Sequence, residues 1–115
     1  MLNFEGLRVY QLALSYINEL YKETGGWPKV HLYSLTDQLR RDGLSTALNI
    51  AEGSSRTKKD FRHFLDLSKG SCYESVACLE VSFRQGLIEE KNYLNFKNQL
   101  YDLTKMISGL KNSLV

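Results

Sequence analysis

"LRRDGLSTALNIAEGSSRTKKDF", residues 39–61, is the stretch on which the fold turns. Leu39, Thr46 and Ile50 recur with Gly43 on one side of a helix, and Leu44, Ala47, Leu48 and Ala51 widen that surface. Gly53 interrupts the pattern where a left-handed residue commonly ends a helix. Four residues later Thr57, followed by "KKD", supplies an N-cap signal for a new helix. A helix, a short polar break and a second helix make an antiparallel pair.

Working outward, the upstream member of this pair is expected to start at a Ser34 cap, with Asp37 near the positive end of the dipole, and to reach about Glu52. The downstream member should run from Thr57 to about Gln85 and stop at Gly86. Phe61, Leu65, Cys72, Val76, Leu79 and Phe83 form its bulky side. Ser68, Ser71, Ser75, Cys78 and Ser82 form a flanking row of small residues. That row suits close helix packing better than chemistry, because no general base accompanies Ser71 or Ser75.

Two further helices flank the pair. From about Glu89 to Ser113, Tyr93, Phe96, Leu100, Leu103, Ile107, Leu110 and Leu114 keep an alternating three-four repeat, the pattern of a bundle seam. From about Phe4 to Thr24, ended by Gly25 and Gly26, Leu7, Tyr10, Leu14, Ile17 and Tyr21 mark one face. Val9, Leu12, Ala13, Tyr16 and Leu20 extend it into a second buried face. Short connections at "GGWP", "GSSR" and "GLIE" then imply an all-α, up-down-up-down antiparallel four-helix bundle, with residues 1–115 as one domain.

Composition fits this reading. Hydrophobic residues make up 43% and charged residues 24% of the 115-residue chain, ordinary values for a folded domain. One proline leaves long uninterrupted stretches. Cys72 and Cys78 are the only cysteines, and six helical residues would hold their Cα atoms about 9 Å apart, too far for a disulfide. Reduced thiols and a cytoplasmic setting are expected, with no export signal. No apolar run approaches the roughly 20 residues needed to cross a bilayer.

Gln38, Arg41, Ser45, Asn49 and Glu52 follow three-four spacing and occupy one stripe of the second helix. The plain reading is a solvated face. The sharper one is a row of amides and charges that satisfies helix ends or meets another subunit. Arg40 points instead among Gly43, Leu44, Ala47 and Ala51, so it should be partly packed or lie at an interface, with a carboxylate, carbonyl or phosphate partner. The alternative is a surface arginine whose stem covers apolar neighbours.

The net charge is only +2, but its distribution is uneven: residues 40–69 hold seven basic and four acidic groups. Arg40, Arg41, Arg56, Lys58, Lys59 and Arg62 are the candidate nucleic-acid contacts. The last four surround a helix start, where backbone amides also favour phosphate. A soluble basic turn is the bland reading of the same residues. Two histidines without zinc-ligand spacing, no glycine-rich phosphate loop and no catalytic triad leave no predicted metal, cofactor or catalytic residue.

The string "QLRRDGLSTALNIAEGSSR", with "NIAEG" at Asn49 to Gly53 as its strongest marker, resembles the 23S rRNA intervening-sequence protein family. That family also includes accessory proteins of diversity-generating retroelements. The likeness extends to "FEGLRVYQLAL", to Trp27 and Pro28, to "FRHFLDLSKGSCYES" and to the closing amphipathic helix. It implies a four-helix protomer, a ring-like homopentamer and a basic surface that engages nucleic acid or a reverse transcriptase. Relatives commonly have small apolar residues at Asp42 and Gly43 and proline at Ala47, so this chain lacks the source of a proline bend in its second helix. The expected function is a non-enzymatic, oligomeric RNA- or DNA-binding accessory factor. The alternative is a protein-interaction scaffold.

Overall fold

The computed structural model describes residues 1–115. Four α-helices carry the chain: α1 (Arg8–Thr24), α2 (Asp37–Ser54), α3 (Lys58–Arg84) and α4 (Glu90–Ser113). Each packs beside its sequence neighbours, and α1 also meets α4, which closes an antiparallel four-helix bundle of 43 × 21 × 20 Å. The 27 residues of α3 span the long axis at about 1.5 Å per residue.

Local chemistry sets the helix limits. Thr57 adopts an extended conformation, and its side chain accepts a hydrogen bond from the Asp60 amide at 3.2 Å, so the expected N-cap of α3 forms. Gly86, with φ of +76°, is the one residue in the left-handed region and ends the turn after α3. Ser34 is not a cap. Residues Lys29–His31 form a 3₁₀ turn and Leu32–Thr36 a π-turn that runs directly into α2, so no free helix end exists at Ser34, whose hydroxyl donates to the His31 carbonyl. The first helix likewise begins later than expected, at Arg8, behind a separate 3₁₀ turn over Asn3–Gly6.

Gly53 is helical rather than left-handed, which corrects the expected end of α2. Its role is close approach. A Cβ there would lie 2.6 Å from Phe64 Cβ and 2.8 Å from Phe61 Cδ1, so α3 occupies the space a side chain would need. The small row on α3 continues that contact: Ser68, Ser71, Ser75, Cys78 and Ser82 are all buried. Ser68 donates to the Thr46 carbonyl at 2.8 Å, Ser71 to the Ser45 hydroxyl at 2.9 Å and Ser82 to the Cys78 carbonyl at 2.8 Å. Packing, as expected, is what these serines do.

The core confirms the α4 seam, with Tyr93, Phe96, Leu100, Leu103 and Ile107 buried. It divides the two α1 rows differently from expectation. Val9, Ala13, Tyr16, Leu20 and Thr24 are buried and Leu7, Tyr10 and Ile17 pack partly against the core, whereas Leu12, Leu14 and Tyr21 are exposed. Gly43 explains the choice: a Cβ at that position would already lie 3.3 Å from Tyr16, so α1 turns its Tyr16–Leu20 side onto α2. Edge-on packing of Tyr16 against Phe96, 5.9 Å between centroids, continues this face into α4. Glu23 ties the ends together by accepting from Trp27 Nε1 and Asn92 Nδ2.

Candidate nucleic-acid interface

The α2–α3 turn brings Arg56, Lys58 and Lys59 to one exposed corner of the bundle. Arg56 pairs with Glu52 one turn back and lies over the Phe64 ring, 5.2 Å from its centroid. Glu52 and the ring thus hold the guanidinium in place while 47% of the side chain stays accessible. Lys58 and Lys59, by contrast, make no ion pair. They sit in the first turn of α3, where unbonded amides add positive potential. Ser55, Arg56, Thr57 and Asp60 line a shallow, open concavity beside them. The Asp60 carboxylate and its Thr57 cap occupy part of this helix end, which limits the attraction for an anion.

Arg62, one turn along α3 from Lys58 and Lys59, is half-buried and reaches toward α4. Its Nη1 donates to the Lys111 carbonyl at 2.8 Å and the Leu114 carbonyl at 3.2 Å. A cation at a helix C-terminus satisfies orphan carbonyls and the negative end of the dipole. Arg62 therefore fastens α3 to the end of α4.

Arg40 and Arg41 lie near the opposite end of α2, about 22 Å along the helix from Arg56 at the usual rise. Within one protomer they form a separate site. Arg40 is partly packed, as expected of its direction, but its partners are a hydroxyl and a ring: Nε donates to Thr24 Oγ1 at 2.9 Å, and the guanidinium lies 4.5 Å from the Tyr21 centroid. Arg41 is exposed and faces Asp37 at 3.6 Å.

The polar row proves largely self-satisfied. Gln38 donates to Asp42 Oδ1 at 3.0 Å, Asn49 to Ser45, and Glu52 receives Arg56. Ser45 and Asn49 are half-buried at the edge of the α2–α3 seam. The row is thus a border between helices, and its Glu52 end steadies the basic turn.

Sequence reading missed the buried acid beside this row. Asp42 is 5% exposed, and its Oδ2 has no hydrogen-bond partner. Burial, with the Glu74 carboxyl beside it, pushes the Asp42 carboxyl up to about 6, against the opposing effect of the Gln38 amide. Tyr16 Oη and Ser75 Oγ are also buried without partners. Burial raises the Tyr16 phenol, pushes the Cys72 thiol up to about 11 and raises Cys78, so neither thiol is an activated nucleophile. No helix is long and apolar enough to cross a membrane.

The profile described as 23S rRNA-intervening sequence protein matches residues 5–109. No curated protein is detectably similar in sequence. Among solved structures, the chain is similar to a protein of unknown function from the S23 ribosomal protein family of Bacteroides thetaiotaomicron. The TM-score is 0.79 and the identity 22%, over 90% of this chain and 97% of that one. That likeness concerns the fold. With the profile spanning nearly the whole helical bundle, the chain belongs to the 23S rRNA-intervening sequence protein family.

Proposed function

We propose that the protein is a non-enzymatic, cytoplasmic accessory factor that binds RNA or DNA phosphates through the α2–α3 turn, as a homo-oligomer and, by family resemblance, a pentamer. The observation that carries this reading is the pair of exposed lysines, Lys58 and Lys59, that no carboxylate neutralises beside the held guanidinium of Arg56. A protomer net charge of +2 is modest, and repetition around a symmetric assembly would concentrate it into a stronger local field. Arg41, facing Asp37, adds a separate cation at the other end of α2, and Arg40 is largely committed to Tyr21 and Thr24.

Exposed apolar residues favour assembly. Leu44 and Leu48 on α2 are 43% and 57% exposed and share a stripe with Arg40. Through the Arg40–Tyr21 contact this stripe adjoins Leu14 and Tyr21 on α1. An apolar seam of this kind is a liability for a lone protomer and an asset at a subunit contact.

The test couples light scattering to binding of a structured RNA and a DNA duplex at low salt. A multi-subunit particle that binds both, with affinity falling steeply as salt rises, supports the reading. An intact assembly that binds neither at low salt rejects it. The same apolar seam favours a second reading, a scaffold for a protein partner such as a reverse transcriptase. Nuclease-resistant capture of that partner, by a protein that fails to bind free nucleic acid, would support it.

A further inference from the structure

On the side of the bundle formed by α3 and α4, a groove holds Lys69 and Tyr73, one turn apart on α3, opposite Lys105, Ser108 and Asn112 on α4. No carboxylate lines it. Lys69 and Lys105 make no ion pair, whereas the nearby Lys97 and Lys111 are paired with Glu80 and Asp66. Tyr73 is 63% exposed, and the half-buried Lys69 carries its Nζ over the ring, 6.0 Å from the centroid. Gly109 leaves the groove open, since a Cβ there would meet nothing within 4 Å. Toward the middle of the bundle a second concavity adjoins it between Tyr73 and the half-exposed Tyr101, lined also by Glu80, whose carboxylate is paired with Lys97.

An exposed aromatic face beside two uncompensated cations, with neutral hydrogen-bonding groups around it, matches a nucleotide: a base for the ring and a phosphate for the ammonium groups. We propose that this groove binds unpaired nucleotides of single-stranded nucleic acid, with Tyr73 as the stacking platform and Lys69 and Lys105 as phosphate contacts. In a duplex the base faces are already stacked, so only a single strand can use Tyr73 fully. An acidic peptide would engage the lysines and leave the ring unused. The inference deepens the proposed function by adding strand selectivity, rests on nucleic-acid binding, and uses residues distinct from those of the basic turn.

The experiment is fluorescence anisotropy with a labelled oligo-uridine strand and a duplex of equal length at low salt, using the full chain. Tyr73→Ala should weaken single-strand binding by about 5- to 100-fold and change duplex binding less than about twofold. Tyr73→Phe should retain binding, and Lys69→Ala with Lys105→Ala should weaken it and reduce its salt dependence. Unchanged single-strand affinity in Tyr73→Ala, equal losses on both probes, or equally effective competition by polyglutamate would overturn the proposal. If the Lys58→Ala/Lys59→Ala variant weakens both probes while Tyr73→Ala has no effect, the groove reading fails and the turn reading stands. The reverse pattern rejects the turn and supports the groove.

Discussion

Replacing Gly53 with alanine tests how tightly α2 and α3 are fitted beneath the basic turn. The new Cβ would start 2.6 Å from Phe64 Cβ, and ordinary contact begins near 3.4 Å, so the helices must part by the 0.8 Å difference. Phe61 can yield by rotating its ring, but Phe64 Cβ is fixed to the α3 backbone. Separation also strains the Ser68–Thr46 and Ser71–Ser45 hydrogen bonds across the seam. Overpacking of this kind costs about 1–3 kcal/mol, and alanine returns up to about 1 kcal/mol of helix propensity. Subtracting one from the other leaves an expected net loss of up to about 2 kcal/mol, which lowers the melting temperature by up to about 8 °C for a chain of this size. Gly70→Ala is the control. It lies in α3 with nothing within 4 Å of its would-be Cβ, so it should gain up to about 1 kcal/mol. Urea denaturation followed by circular dichroism measures both, and a Gly53→Ala protein that gains stability as Gly70→Ala does would refute the close-approach argument.

Three other outcomes follow from the same geometry. Arg62→Ala should cost about 1–3 kcal/mol by stranding the α4 terminal carbonyls, yet leave nucleic-acid affinity of the folded protein within about twofold, measured by melting and anisotropy. The Asp42 carboxyl, raised to about 6, binds its proton more tightly folded than unfolded. Its contribution is therefore complete below pH about 3.8 and is lost as pH rises through about 6, so the wild-type urea midpoint should fall across this window and that of Asp42→Asn should not. Cys72 and Cys78 should resist a thiol reagent at neutral pH in the native protein and react once urea unfolds it.

Helix number, order and most boundaries were legible because three-four spacing, Thr57 and Gly86 act locally. The α1 face was not, since two apolar rows of similar quality run along that helix and only the partner decides between them. Gly43, 23 residues beyond Leu20, makes that decision by letting Tyr16 and Leu20 approach. Gly53 misled for a related reason: a glycine before a polar break looks like a helix terminator, whereas Phe61 and Phe64 require its missing side chain. The tie of Arg62 to α4 was not legible because its partners, the carbonyls of Lys111 and Leu114, lie at the far end of the sequence. Asp42 broke the pattern of its own helix face, and that break was the available sign of a buried acid.

The most direct measurement is the salt dependence of duplex DNA binding by the assembled wild type and by the Lys58→Ala/Lys59→Ala variant. Two phosphate contacts per bound protomer should vanish, lowering the slope of log K against log salt by about 1.8 for each protomer engaged. An identical slope in both proteins would show that the α2–α3 turn does not meet the phosphates.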